Sequence, residues 1–561
     1  AGPGKNGVSP EMVRRFGIMA DLASANKINL IVGLVTGWMS GRLFVPPALD
    51  GLNPITDPLS ILWQVRLVKT LVNEFKDHPA IAAWDLGNEC NCMGAATQQQ
   101  AWVWTATIAD AIKSIDASRP VVSGMHSLCV EKTQPWSIHD QGELTDLLTT
   151  HPYPIFTPHC NREPMDTIRP LLHSSAETCL YADLSGKPAF VEEFGNFGPY
   201  VCGDSKAGNV LRGHFAGIWA HDCRAALWWC AFDQLSLTEA PHDWVPIERE
   251  LGMLREEGSP KPLASEIAAF QSMLASLPFK TLPPRRTDAV CILTRGQDQW
   301  GAAYSSFILA KQAGFDIRFA YAENPLPDAD LYLLPSIGGL NALTRRREVE
   351  LRERVAAGAT LYVSVEDAFV REVYSMTGLE FLGRCARPAS CSFTVKRGDQ
   401  ATTLTLPSST SFALRDGQAT ILAREENGTP VFSVAAYGKG HVYFLSVPLE
   451  TRLATTNGAF LPNAAPYNMI YRVFAEQALG RRLIGKSAPN LGITEHPLDN
   501  QDTVIVLINH SPLALEDELV LSRSTEILST LYGPTPESSS PGHFSIKLPA
   551  NGFAVWLCRK N

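Results

Sequence analysis

The stretch Ile81-Ala82-Ala83-Trp84-Asp85-Leu86-Gly87-Asn88-Glu89 decides how the first half of the chain is read. Six residues, apolar but for one Asp, end in Gly-Asn-Glu, the pattern of a buried parallel strand delivering polar groups at its C-terminal end. Just upstream, Asp57-Pro58 opens a helix as N-cap and first position, with Ile61, Val65, Val68, Val72 and Phe75 as its apolar stripe. Before that come a strand over Ile28 to Val35 and a helix opened by Ser9-Pro10, with Met12, Phe16 and Met19 at helical spacing. Downstream, the pattern predicts a helix at 97–116, strands at 121–125, 146–151, 188–193 and 225–232, and a helix at 209–220.

Strands alternating with helices imply a parallel sheet with right-handed crossovers. A (β/α)8 TIM-type barrel needs eight strands, and six are visible before residue 260. The expected fold is therefore such a barrel over residues 1–280 with its N-terminal strands missing, the two absent ones preceding residue 1. Residues 285–483 read as a doubly wound α/β domain, with strands at 289–294, 315–320, 331–335 and 360–365 and helices at 299–313 and 343–356. It has neither a Gly-x-Gly-x-x-Gly nor a Gly-x-Cys-x-Gly motif, so a nucleotide site or an amidotransferase nucleophile is not expected. Residues 485–561, with short alternating strands between Pro and Ser turns, read as a small β-sandwich.

The 561 residues are 45% hydrophobic with a formal charge of −9, so no basic field exists to hold nucleic acid or anionic lipid. No apolar run reaches membrane-spanning length. The start has neither a basic region nor an apolar core, so no signal peptide is visible, and the compartment is left open between cytoplasm and periplasm. The 12 cysteines are scattered. Cys90 with Cys92 and His159 with Cys160 match no strong zinc pattern, so neither a metal nor a cofactor is expected.

Functional groups of a barrel stand at the C-terminal ends of its strands. Those ends carry Asn88-Glu89, His126, His151-Pro152-Tyr153, Glu192-Glu193 and Trp228-Trp229, and Trp38 follows the first visible strand. Two carboxyl groups across such a mouth can cleave a glycosidic bond, one as nucleophile and one as acid then base, when they stand about 5–5.5 Å apart. Asn88 can bond a sugar 2-hydroxyl, Tyr153 can donate to a carboxylate, and Trp229 can stack on a sugar face. His126 and Trp38 are further substrate-contact candidates. Strand alternation allows only one of Glu192 and Glu193 to face the mouth, the other pairing with a cation behind the barrel. Asp233 reads as a structural carboxylate.

The segments Trp84 to Glu89, His151-Pro152-Tyr153 and Phe190-Val191-Glu192-Glu193-Phe194-Gly195 resemble the signatures of clan A glycoside hydrolases, most closely glycoside hydrolase family 5. The resemblance implies that Glu89 is the acid/base, Glu193 the nucleophile and Trp229 the strand-eight aromatic. It spans roughly residues 10–265 and lacks the family's strand-two Arg. The second region resembles the trimerisation domain of family 42 β-galactosidases, which implies assembly into a homo-oligomer, a trimer or dimer. The combination implies a retaining β-glycosidase acting on an oligosaccharide or glycoside, in exo fashion on β-mannosides or β-galactosides. An endo-acting glucanase or mannanase is the alternative, as is a non-catalytic carbohydrate-binding or scaffold protein with a degenerate barrel.

Overall fold

The computed structural model describes residues 7–240, 242–243, 248–387, 390–397, 400–499, 501–523 and 525–560. The chain divides into two compact units. One comprises residues up to 153, 181–200 and 223–261, and the other residues 154–180, 201–222 and 262–561.

The first unit is built on six strands: β1 (Leu30–Val35), β2 (Ile81–Gly87), β3 (Val121–Val122), β4 (Leu148–Thr150), β5 (Ala189–Phe194) and β6 (Ala226–Trp228). They form two parallel sheets in the orders β1-β2-β3 and β4-β5-β6. A parallel bridge between Val122 and Leu147 joins the two. The six strands thus follow one another in chain order, as right-handed crossovers dictate. Among the described residues no pairing joins β6 back to β1, so the sheet is not a closed eight-stranded barrel.

Three helices flank the early strands: α1 (Pro10–Ala25), α2 (Pro58–Phe75) and α3 (Gln98–Lys113). Asp57 caps α2 by accepting from the backbone N–H groups of Leu59 and Ser60, and Thr97 with Gln100 forms a capping box on α3. Ser9, expected to cap α1, makes no side-chain cap bond. The buried face of α2 follows the predicted stripe at Val68, Val72 and Phe75 but sits one residue earlier in the first two turns. Ser60, Gln64, Val68, Val72 and Phe75 are buried, while Ile61 and Val65 are only partly covered. Gln64 is tolerated inside because its amide donates to the Pro54 carbonyl at 2.7 Å and accepts from the Trp104 indole at 2.9 Å. On α1, Ala20 and Ala23 are buried, whereas Met12 and Met19 are exposed and Phe16 packs edge-on against Phe75.

The second unit holds a seven-stranded sheet of β7 (Ala289–Leu293), β8 (Ile317–Tyr321), β9 (Leu331–Ile337), β10 (Thr360–Val365), β11 (Thr420–Arg424), β12 (Pro430–Tyr437) and β13 (Gly440–Leu445). The order is β8-β7-β9-β10-β13-β12-β11. The first five strands are parallel, β12 pairs antiparallel to β13, and β11 antiparallel to β12. This is a doubly wound order. Its strands read as continuous apolar runs because β7, β9 and β10 are buried along their whole length. Helices α4 (Gln299–Ala313) and α5 (Arg345–Ala357) belong to the same unit. Beyond residue 483, two four-stranded antiparallel sheets share a core that includes Leu491, Ile505, Leu519, Ile546 and Trp556. Helices that went unread in the sequence include Ile138–Leu144, Ile168–Ser185 and Pro262–Ser276.

Candidate active site

The strand ends of the first unit approach one another closely enough to require glycine. Gly87 has φ +150°, and a Cβ there would lie 1.8 Å from the Val35 carbonyl oxygen. Gly124, at φ +57°, would place a Cβ 2.0 Å from the Gly87 carbonyl oxygen and 2.2 Å from Asp85 Oδ1. These contacts pull the ends of β1, β2 and β3 together. Glu89 follows in the left-handed region, φ 45° and ψ 45°, an uncommon conformation for a residue with a side chain. It is held there by its N–H donating to the Gly124 carbonyl at 2.9 Å. Asn88 is anchored alongside, its backbone N–H on Val35 O and its amide on Trp38 O at 2.8 Å.

His151, at the end of β4, is 1% exposed and central to the site. Its Nδ1 lies 2.9 Å from Glu89 Oε1 and 3.7 Å from Glu193 Oε2, and its Nε2 lies 3.4 Å from Glu192 Oε2. Glu89 and Glu193 therefore come within reach of a single ring nitrogen. Their separation cannot exceed those two short spans laid end to end. Tyr153 donates its hydroxyl to Glu193 Oε1 at 2.8 Å. His126 Nδ1 stands 3.8 Å from Glu89 Oε1, and the Trp38 side chain hydrogen-bonds Glu89 as well.

The structure corrects the alternation argument for Glu192. It does not pair behind the sheet but shares His151 with Glu89 and Glu193. The cause is local. The pairing of β5 with β6 shifts register between Val191 and Phe194, and such an irregularity breaks the strict two-residue alternation. Both adjacent glutamates consequently turn toward one imidazole.

The charges follow from this crowding. Burial opposes a charge on His151, but Glu193, Glu192 and Glu89 outweigh it and hold the imidazole well above its ordinary range. For Glu193, burial dominates, the His151 charge works against it, and Glu89 adds repulsion, so its carboxyl is pushed up to about 7. Burial also raises Glu89, yet the hydrogen bond and charge of His151, with His126, prevail and leave it below its ordinary value. Asp85, buried beneath the site on β2, is raised well above the carboxylate range by burial and by Glu192. The carboxyl pair can thus carry one proton near neutrality, shared within a coupled group.

At the end of β6 the two tryptophans divide. The Trp228 indole donates to the Leu251 carbonyl at 3.0 Å and its ring meets Phe194 edge-on. The Trp229 indole donates to Glu248 Oε2 at 2.9 Å. Glu248 had no signal in the sequence, since it follows no strand. Asp233 is buried and paired with Lys261 at 2.6 Å, a structural contact. Cys90 is buried with its thiol on the Val35 carbonyl, and His159 pairs with Asp298 at 2.7 Å. Glu89, His126 and His151 offer one donor atom each within 4.8 Å of one another. The same three residues make the acid–imidazole contacts described above.

A family model described as glycosyl hydrolases family 2, TIM barrel domain, matches residues 53–140. Mannan endo-1,4-beta-mannosidase F of Aspergillus clavatus is 25% identical over 245 residues, covering 41% of this chain and 54% of that protein. Probable mannan endo-1,4-beta-mannosidase A-1 of Aspergillus terreus is 28% identical over 248 residues, covering 41% and 60%. The chain spans about half the length of the curated relatives it matches. Among solved structures, an exo-beta-1,4-mannosidase from Opitutaceae bacterium strain TAV5 has a TM-score of 0.65 at 19% identity, covering 79% of this chain and 82% of that one. A beta-galactosidase from Bacillus circulans sp. alkalophilus has a TM-score of 0.70 at 14% identity, covering 97% and 91%. Taken with the order of motifs along the six strands, these likenesses support the resemblance to clan A glycoside hydrolases, the solved structures showing the fold alone.

Proposed function

We propose that the chain is a retaining β-glycoside hydrolase working by double displacement, with Glu193 as nucleophile and Glu89 as acid then base. The observation that carries this reading is the contact of both carboxyl groups with the single Nδ1 of His151. That arrangement bounds their separation from above, and the short bound supports the spacing of about 5–5.5 Å used by retaining enzymes over the wider one of inverting enzymes. The first step forms a bond from a Glu193 oxygen to the anomeric carbon while the glycosidic C–O bond breaks, and Glu89 gives its proton to the leaving oxygen. In the second step Glu89 takes a proton from water, whose oxygen displaces Glu193 and regenerates the carboxylate. Tyr153 steadies Glu193 in its ionised form, and Asn88 faces the sugar 2-hydroxyl. Trp229, fixed by Glu248, offers its ring to the sugar, and His126 and Trp38 flank the Glu89 side of the mouth.

The favoured substrates are β-mannosides, given the mannosidase names among similar sequences and structures, with β-galactosides next. Exo action is the reading adopted, and residues 285–483 are assigned to assembly of a homo-oligomer. Hydrolysis of aryl β-glycosides by the full chain and by Glu89→Ala and Glu193→Ala tests the activity. Equal rates in all three would refute it. Endo action is supported by the names of the curated relatives, and products from mannan decide the mode: mannose alone for exo, an oligomer ladder for endo.

A further inference from the structure

The second unit carries a groove of about 770 Å³ at the N-terminal ends of its parallel strands, bordered by Ala289 and Val290 on β7, Tyr332 on β9 and Ala359 just before β10. Ligands of doubly wound sheets ordinarily sit at the opposite, C-terminal ends. What distinguishes this end is its charge. Four guanidinium groups line the groove, those of Arg286, Arg318, Arg354 and Arg481, against three carboxylates.

Three of the arginines are matched. Arg286 Nε lies 3.3 Å from Asp288 Oδ1, Arg354 Nη1 lies 3.0 Å from Asp328 Oδ1, and Arg481 pairs with Asp330. Arg318, the second residue of β8, is different. Among the described residues it has no ion pair and no side-chain hydrogen bond, and its Nε is buried from solvent. The fold thus gives this guanidinium no acceptor of its own, and an anion in the groove would supply one to its open end. The planar guanidinium fork suits a carboxylate or phosphate, which it can grip with two parallel bonds. The volume falls in the range of small-molecule sites, about 300–1,000 Å³.

The geometry points to a binding site for a small oxyanion-bearing molecule in this groove, with Arg318 as its anchor. The anion is a carboxylate or a phosphate, and the site is independent of the glycosidase chemistry of the first unit.

Isothermal titration of the full chain with inorganic phosphate, and separately with glucuronate, at constant sodium chloride tests this. One saturable site for either anion is expected, and the arm that responds identifies the group. Arg318→Gln should weaken that binding at least tenfold. Ala357→Glu puts a carboxylate at an exposed position on the groove rim and should weaken it similarly, so it carries the test should Arg318→Gln not fold. No saturable binding of either anion, or unchanged affinity in the variants that fold, overturns the proposal.

Discussion

Glu192 and Glu193, neighbours on β5, reach opposite nitrogens of the same imidazole: Glu192 lies 3.4 Å from His151 Nε2 and Glu193 lies 3.7 Å from His151 Nδ1. His151 is thereby fixed at both ends, and its charge depends on three carboxylates rather than on one. Replacing Glu192 by Gln removes one of the charges that raise the imidazole. The folded-state pKa of His151 then falls, and any step needing the charged ring is lost at lower pH. The alkaline limb of kcat/KM is expected to move toward acid in Glu192→Gln, with the maximal rate reduced about tenfold, the low end of the scale of one hydrogen bond to a charged group. A limb that stays in place would show that Glu192 does not govern the ring.

The roles of the two catalytic candidates can be separated chemically. In the free site the proton resides more readily on Glu193, pushed up to about 7, than on Glu89. Double displacement needs the reverse at the moment of attack, so substrate must redistribute the shared proton. Glu89→Ala and Glu193→Ala should each lower kcat/KM about a hundredfold or more. Azide should rescue both, with different products. In Glu89→Ala it attacks the glycosyl-enzyme and yields the β-glycosyl azide. In Glu193→Ala it fills the place of the missing carboxylate and yields the α-glycosyl azide. NMR of the products reads the anomers, and exchanged outcomes would swap the assignment.

Tyr153 supplies the hydroxyl that stabilises ionised Glu193, at 2.8 Å. Without it the carboxylate loses a donor, so its pKa climbs above about 7 and the ionised fraction at neutral pH shrinks. Tyr153→Phe should shift the acid limb of kcat/KM to higher pH. It should also cost about 2 kcal/mol in the transition state, roughly thirtyfold in rate. A pH–rate profile of the variant beside the parent chain checks both. An unmoved acid limb would mean that the bond seen here does not persist in catalysis.

How far the sequence could be read depended on whether a signal was local. The strands ending in Asn88-Glu89 and His151-Pro152-Tyr153 announced themselves because a buried parallel strand is an apolar run with polar residues at its end. The stripe of α2 was misread at Gln64, because burial there rests on a hydrogen bond to Trp104, forty residues away in the chain. Glu192 was misplaced for a related reason. Period-two reasoning assumes a regular strand, and the register shift between Val191 and Phe194 depends on a partner strand that no single segment encodes. Glu248 could not be found at all, since its relevance comes only from contact with Trp229.

The platform beneath Glu89 rests on Asp116, whose Oδ2 accepts from the Trp84 indole at 2.9 Å and pairs with Arg119 Nη1 at 3.0 Å. Its other oxygen accepts from the Ser118 backbone N–H and hydroxyl. Arg119 in turn donates to the carbonyls of Ile81 and His78, stapling the start of β2. Burial works against the Asp116 charge, but the Ser118, Trp84 and Arg119 donors win and hold its carboxyl well below the ordinary value. A carboxyl depressed in the folded state stabilises the fold above its unfolded pKa, near 3.9, and loses that contribution as pH falls toward the folded value. Asp116→Asn should therefore cost about 2 kcal/mol at pH 7, because Arg119 is left without its counter-charge. The difference from the parent chain should narrow below about pH 4, where the parent's own carboxyl begins to lose its advantage. Urea unfolding at pH 7, 4 and 3 measures it. A gap constant across that range would show that the lost charge is not what the substitution removes.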